Sequence, residues 1–452
     1  MASRIKNMTE GNPLSLIFTF ALPLMIGNVF QQLYTVIDTM VVGKALGVSA
    51  LAALGAADWM NWMMLGIVQG LTQGFGILMA QKFGAGMQED LRKVIGNSVV
   101  LSLISSLILL LSGQLLARPV LGLLQTPPEI MDNALLYLRI MYLGIPVVMA
   151  YNLLACILRS LGDSQTPLHA MIVAAIVNIV LDLLFVLGFG LGIGGAAAAT
   201  LIAQLISSLY CLHYIRKIDI LTFIPADFCL QKGLPARLFV LGFPMAFQNA
   251  IISIGGMIVQ FVVNGFGVLF IAGFTATNKL YGMLEVAATS YGYAMVTYVG
   301  QNLGAGRADR IRRGMRASLL ISLVTSVAIA LFMLLAGKAI LGCFISGTPQ
   351  EFEQTLQIAY FYLAIMSICL PILYILHVTR SAIQGMGNTV LPMVSGIAEF
   401  IMRALTAIFL PMLIGEKGIF FAEITAWIGA DVILVTSYFL VMKKTEQMLA
   451  RP

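Results

Sequence analysis

Charged residues are scarce in this sequence. Only 10% of its 452 residues are Asp, Glu, Lys or Arg, whereas soluble globular proteins carry about 25%. Because 60% of the residues are hydrophobic and the mean hydropathy is +0.95, this scarcity excludes a soluble globular protein. Apolar stretches long enough to cross a hydrocarbon core of about 30 Å as a helix recur along the whole chain. The composition therefore predicts a polytopic membrane protein.

These stretches also lack the alternation of polar and apolar residues that a membrane β-barrel shows in segments of about 10 residues. Blocks such as 99–116 and 319–335 are predominantly apolar without such alternation, which indicates an all-α fold. Dividing the sequence at Gly, Pro and charge clusters predicts twelve transmembrane helices, at 14–42, 51–82, 94–117, 133–158, 167–189, 195–215, 237–263, 270–302, 315–337, 355–381, 390–413 and 418–442.

Signatures of cofactor chemistry are missing. The five cysteines are odd in number and show no CxxC spacing, so neither a disulfide framework nor a metal cluster is indicated. The sequence contains no GxxxxGK[ST] loop, and its GxGxxG at 190–195 lies in a turn without a preceding strand, so nucleotide binding is not indicated. We therefore predict no enzyme and no cofactor, and an ion gradient as the source of energy.

Basic residues concentrate on one side of the predicted membrane. If both termini are cytoplasmic, nineteen of the 26 Lys and Arg residues lie in the inner segments and five in the outer ones. This asymmetry follows the positive-inside rule. The formal net charge of +6 thus indicates membrane topology and contact with lipid headgroups rather than binding of nucleic acid.

The two halves of the sequence resemble each other. AQKFGAGMQEDLRK at 80–93 matches GQNLGAGRADRIRR at 300–313, LPLM around Pro23 matches FPMA around Pro244, and LGDSQTP ending at Pro167 matches MGNTVLP ending at Pro392. Six spans per half is an even number, so both halves enter the membrane from the same side and flank a central cleft. We predict an N-lobe at 1–215, a cytoplasmic linker at 216–236 and a C-lobe at 237–452.

Four polar residues of the first half form the candidate site. An ionisable group inside a span costs at least about 2.5 kcal/mol and is a functional candidate by default. Asp38 on span one, Asn178 and Asp182 one turn apart on span five, and Thr200 on span six lie at similar depths. Together they could ligate a hard cation, or the two acids could share a proton. The alternatives are a buried acid bonded to backbone and interhelical hydrogen bonds.

Other polar residues within spans are further candidates for gating or for the substrate cavity. Glu399 and Arg403 lie one turn apart on span eleven, which indicates a structural ion pair or a gate. Pro23 removes a helical hydrogen bond, and a bend there could move Asp38 relative to Asp182. Packing or interhelical bonding is the alternative for the remaining cavity candidates, which are Tyr34, Gln248, Asn249, Gln260 and Lys279.

On these residues the sequence resembles the multidrug and toxic compound extrusion (MATE) family of the multidrug, oligosaccharidyl-lipid and polysaccharide (MOP) exporter superfamily. The resemblance covers essentially the whole chain and rests on the repeated halves, the GAG-containing turns and the match of Asp38, Asn178, Asp182 and Thr200 to the N-lobe cation site of the DinF-like prokaryotic branch. No Asp or Glu occurs between Arg237 and Asn278, so the acid that another branch carries on span seven is missing.

The resemblance implies two six-helix lobes around the cleft and alternating access. It implies a monomer in the inner membrane of a bacterial cell that exports organic, cationic amphipathic compounds in exchange for H⁺ or Na⁺. A lipid-linked precursor flippase of the same superfamily is the alternative. It would need a cationic cleft, and Lys279 and Arg403 are the only Lys and Arg residues assigned to neither the inner nor the outer segments. A single-metabolite exporter also stays open.

Overall fold

The computed structural model describes residues 4–124, 126–345 and 348–450. These residues form helices and no strand, which confirms the all-α prediction. The α-helices are α1 Pro13–Gly84, α2 Gln88–Leu123, α3 Pro128–Leu143, α4 Ile145–Ser160, α5 Gln165–Asp182, α6 Gly192–Ile215, α7 Leu234–Val263, α8 Val268–Gly304, α9 Ala308–Gly342, α10 Pro349–Ile368, α11 Leu370–Gly385, α12 Val390–Ile414 and α13 Ala422–Leu449. A π-helix covers Leu183–Gly188, and 3₁₀ turns cover Asp219–Leu221, Pro225–Phe228 and Glu416–Phe421.

Nine helices in the described ranges are long and apolar enough to cross a membrane, and two bent pairs raise the number to eleven. The pairs are α3 with α4 and α10 with α11, each bent by 48°. Helix α8 is not among these eleven, but its 37 residues are long enough for a twelfth span. The first two spans are Pro13–Gly47 and Ser49–Gly84. They meet inside α1 at Gly47, where φ is 83°, while Pro23 lies within the helix.

Matching glycines repeat the same turns in the two halves. Gly86 and Gly306 both have a φ of 71°, and Gly162 and Gly387 have φ values of 84° and 86°. Glycine adopts this left-handed conformation without the steric cost that a Cβ adds. The repeated GAG and LGD/MGN motifs therefore specify equivalent helix-ending turns.

The described chain divides into two compact units. The first comprises the residues up to Met8 and Leu22–Ala250, and the second comprises Thr9–Ala21 and the residues from Ile251 on. The start of α7 thus belongs to the first unit, where it packs against α1 backbone to backbone. A Cβ added to Gly74 would lie 2.3 Å from the Cα of Gly242, so this contact requires glycine.

The segment after α6 is attached to α2 of the first unit. The Asn97 side-chain amide donates to the backbone carbonyls of Asp227 and Cys229, at 3.4 and 3.1 Å, and accepts from the backbone N–H of Gln231 at 3.2 Å. These bonds hold part of the predicted 216–236 linker against a helix of the first half. The linker bounds themselves stay a prediction.

Many large apolar side chains remain exposed on the outer faces of the helices. Leu115, Phe261 and Leu335 are among the most exposed. Helices satisfy their backbone hydrogen bonds internally, so such faces are stable in lipid.

Candidate cation site of the first unit

The carboxyl groups of Asp38 and Asp182 contact each other. Asp38 lies on α1 with 8% of its surface exposed, and Asp182 is the last residue of α5 with 0% exposed. Oδ1 of Asp38 and both carboxyl oxygens of Asp182 are buried without a hydrogen-bond partner. Two touching carboxylates in an apolar environment cannot both ionise cheaply. The pair therefore favours an added proton or cation.

Asn178 and Thr200 join α5 to α6 in the same unit. Nδ2 of Asn178 donates to Oγ1 of Thr200 at 3.4 Å, and this hydroxyl donates to the carbonyl of Ala196 at 3.2 Å. The amide oxygen of Asn178 is buried and accepts no hydrogen bond. Because Asn178 lies one helical turn before Asp182, its oxygen and the carboxyl oxygens lie on the same side of α5.

These groups have the donor chemistry of a site for a hard cation. Ions such as Na⁺ prefer several oxygen ligands from carboxylates and amides, and the buried oxygens of Asp38, Asn178 and Asp182 are of these two kinds. The oxygens of this site therefore fit Na⁺, and the touching carboxyls equally fit a proton. In the described ranges no group of three or more His, Cys, Asp and Glu side chains is placed to hold a metal ion.

Two tyrosines lie close to the carboxyl pair. Tyr34, one turn before Asp38 on α1, and Tyr137 on α3 both interact electrostatically with Asp38 and Asp182. Tyr34 is a predicted cavity residue. Nothing in the sequence around Tyr137 links it to Asp38 and Asp182, which lie on other helices, so only the structure identifies it.

A π-helix begins directly after Asp182. Along Leu183–Gly188 the backbone bonds shift to partners five residues back, as between the N–H of Phe189 and the carbonyl of Leu184 at 2.8 Å. Such turns are rare and frequently occur at functional sites. The sequence does not indicate this π-helix, since no residue in the run LLFVLG signals it.

The other predicted cavity residues have contacts of their own. In the first unit Gln248 is buried, and the Asn249 amide donates to the carbonyl of Gly66 at 2.9 Å. In the second unit the Gln260 amide donates to Asn264 at 2.8 Å, and Lys279 is exposed. Their roles in gating or substrate binding stay predictions.

In the second unit the predicted Glu399–Arg403 pair is part of a larger charge cluster. Arg380 and Arg403 donate to Glu399 at 2.7 and 3.0 Å, and Arg403 also donates to Glu423 at 2.7 Å. Arg380 is buried in α11. The helical spacing of the sequence shows partners on one helix only, whereas these partners come from α11, α12 and α13.

Comparisons with known proteins agree with this fold. The sequence model of the MatE family matches residues 23–184 and 244–409. The chain is 31% identical to "Probable multidrug resistance protein YpnP" of Bacillus subtilis (strain 168), covering 91% of this chain and 92% of that protein. It is 26% identical to "Probable multidrug resistance protein YoeA" of the same strain, covering 75% and 74%.

A solved structure of a MOP superfamily transporter from Pyrococcus furiosus superposes with a TM-score of 0.90, at 21% identity and with 99% and 98% of the two chains covered. The predicted fold of twelve transmembrane helices is thereby confirmed. The chain is a multi-pass membrane transporter for a small-molecule substrate rather than an enzyme, and it belongs to the MatE family.

Proposed function

We propose that this protein is a secondary antiporter that exports organic, cationic amphipathic compounds in exchange for H⁺ or Na⁺. Asp38, Asn178, Asp182 and Thr200 bind the coupling ion. The contact between the two carboxyl groups, with their buried oxygens left without partners, supports this proposal most directly.

The coupling follows from the electrostatics of that pair. Without an ion the two carboxylates repel each other, and a bound proton or Na⁺ removes the repulsion. A ligand shifts a conformational equilibrium only through a difference in its affinity for the two states. The ion therefore stabilises the conformation that holds Asp38 against Asp182, and its departure to the cytoplasm favours the other one.

Irregularities in the two helices that carry Asp38 and Asp182 allow the two carboxyl groups to move relative to each other. Asp38 lies on the span that contains Pro23, and Asp182 lies where α5 changes into the π-helix. A change at either point moves one carboxyl relative to the other. In this proposal the lobes at 1–215 and 237–452 alternate access as a monomer in the bacterial inner membrane, with both termini cytoplasmic and no cofactor besides the coupling ion.

Transport in proteoliposomes tests the proposal. Ethidium export is measured with a proton gradient and a sodium gradient imposed separately. The wild type is expected to respond to one of them, and that gradient identifies the coupling ion. Asp38→Asn and Asp182→Asn are expected to abolish the response while the protein stays folded and inserted.

Asp132→Asn is the matched control, because Asp132 is an exposed acid on α3 of the same unit. It is expected to transport like the wild type. Gradient-driven export by Asp38→Asn or Asp182→Asn at the wild-type rate would refute the site.

A further inference from the structure

Glu285 differs from the other acids that surround the charge cluster of the second unit. Glu399 and Glu423 are held by arginines within 3.0 Å. The ion-pair partner of Glu285 is instead Nε2 of His377, at 3.3 Å. An imidazole carries charge only when it is protonated. His377 therefore compensates the charge of Glu285 when its imidazole is protonated, and does not when the imidazole is neutral.

The Glu285 side chain is partly exposed. Glu285 lies near the middle of α8, and its side chain is 32% exposed, against 17% for His377. A charge facing lipid at this depth would cost at least about 2.5 kcal/mol, so intramembrane charges face a water-filled cavity or the protein interior. The exposed part of Glu285 therefore borders water, which an exported solute can enter.

An aromatic ring lies next to the carboxylate. Tyr281, one turn before Glu285 on α8, is half-buried, interacts electrostatically with Glu285 and stacks on Trp427 with ring centroids 6.1 Å apart. Aromatic faces attract organic cations through their quadrupole. A carboxylate beside a rigidly held tyrosine is suited to a positively charged, partly apolar solute.

We propose that Glu285 and Tyr281 form a binding site for the positive charge of an organic cation, and that His377 controls it. With His377 neutral, the Glu285 carboxylate binds the cation. When His377 takes up a proton, its imidazolium pairs with Glu285 and displaces the cation. The proposal rests on the proposed export of organic cations and names the residues that recognise them.

The charged groups around the pair are arranged so that His377 can make this difference. Arg380 and Arg403 pair with Glu399 and Glu423, and in the described ranges neither forms an ion pair with Glu285. Tyr281, Tyr374 and Glu423 interact electrostatically with Glu285, and Glu399 interacts with His377. Asp431 interacts with Arg380 and Glu399, and Lys279 lies on the same helix as Glu285.

Equilibrium binding of tetraphenylphosphonium to the purified full-length protein in detergent tests this site. The probe has a permanent charge, so any pH dependence belongs to the protein. Between about pH 8 and about pH 5.5, wild-type affinity is expected to fall about fivefold, the effect of one partly exposed charge pair. Glu285→Gln is expected to lower the affinity at about pH 8 by the same factor, and Glu285→Asp by less.

His377→Gln is expected to bind like the wild type at about pH 8 and to lose most of the fall at acid pH. The matched controls are Glu353→Gln, an exposed acid of the same unit, and His213→Gln, an exposed histidine on α6. Melting temperatures in the same detergent show that each variant is folded. Unchanged affinity in Glu285→Gln, or an unchanged pH effect in His377→Gln, would overturn the proposal.

Asp38→Asn separates this site from the coupling site. It is expected to lose transport and to keep both the binding of tetraphenylphosphonium and the part of its pH dependence that His377→Gln removes. If Asp38→Asn also loses the pH dependence that His377→Gln removes, the role of His377 is overturned. If Asp38→Asn transports normally, the coupling site fails while the Glu285 site still stands on the binding data.

Discussion

Two groups of largely buried acids, Asp38 with Asp182 in the first unit and Glu399 with Glu423 in the second, have opposite surroundings. In the first, the carboxyls of Asp38 and Asp182 touch, and their buried oxygens have no hydrogen-bond partner. In the second, Glu399 is held between Arg380 and Arg403, and Glu423 is bound to Arg403. Burying a charge is expensive unless a counter-charge accompanies it. Arginines of the second unit therefore supply the counter-charges of Glu399 and Glu423, whereas no described lysine or arginine acts on Asp38 or Asp182.

The internal repeat makes this contrast specific. Asn178 and Arg403 lie equally far after the matching prolines Pro167 and Pro392, and Asp182 corresponds in the same way to Ala407. Where the first unit has Asn178, whose amide oxygen is buried without a hydrogen-bond partner, the second has the guanidinium of Arg403, which pairs with Glu399 and Glu423. The duplicated helix thus carries an uncompensated polar group in one half and a paired cation in the other.

The largest expected effect on the free energy of unfolding comes from removing the positive charge of Arg403. Arg403→Met leaves Glu399 with one arginine and Glu423 with none, and removing one partner of a buried ion pair typically costs about 3 to 5 kcal/mol. The free energy of unfolding in detergent is the measurement. Arg313→Met is the control, since the Arg313 side chain is 71% exposed. Equal stability of the two variants would end the contrast between the units.

The next effect is stabilisation by the coupling ion. A ligand that binds only the folded state at 100 times its Kd adds about 2.7 kcal/mol. Melting of the wild type is compared in sodium and choline chloride and at about pH 5 and about pH 8. Asp182→Asn is expected to lose most of the ion-dependent shift, and Arg313→Met to keep it. A full shift in Asp182→Asn would place the ion elsewhere.

Removing one acid of the Asp38–Asp182 pair is expected to raise stability, by less than the effects above. At about pH 8 without Na⁺, Asp38→Asn removes the repulsion between two touching carboxylates and is expected to stabilise the protein by about 1 kcal/mol. Unfolding in choline buffer measures it. Destabilisation by that amount would mean that the charged pair supports the fold.

The smallest effect compares the two threonines at repeat-equivalent positions. Thr200→Val removes the acceptor of a long 3.4 Å bond from Asn178 and is expected to cost about 0.5 kcal/mol. Thr425→Val breaks the 2.7 Å bond between Thr425 and Thr406 and is expected to cost about 1 kcal/mol. Unfolding measurements on both variants test the order, and the reverse order would contradict it.

Much of the fold could be predicted from the sequence, because hydrocarbon thickness sets helix length and lipid excludes other backbone arrangements. The residues of the candidate cation site could be named because their depths along separate spans follow from counting. The pairs between Arg380 and Glu399 and between His377 and Glu285 could not be predicted. Each joins two helices, and the relative rotation of two helices is not contained in the hydrophobic pattern of either.

The sequence by itself determined the all-α membrane fold, its duplication and the acids that cannot be left facing lipid, because these follow from the cost of transferring each residue into hydrocarbon. Only the tertiary structure decided that Asp38 and Asp182 touch, that a π-helix follows Asp182 and that part of α7 packs with the first unit. The reason is geometric. Whether a buried carboxylate meets another acid or an arginine depends on side-chain distances of a few ångströms across helices that are far apart in the chain.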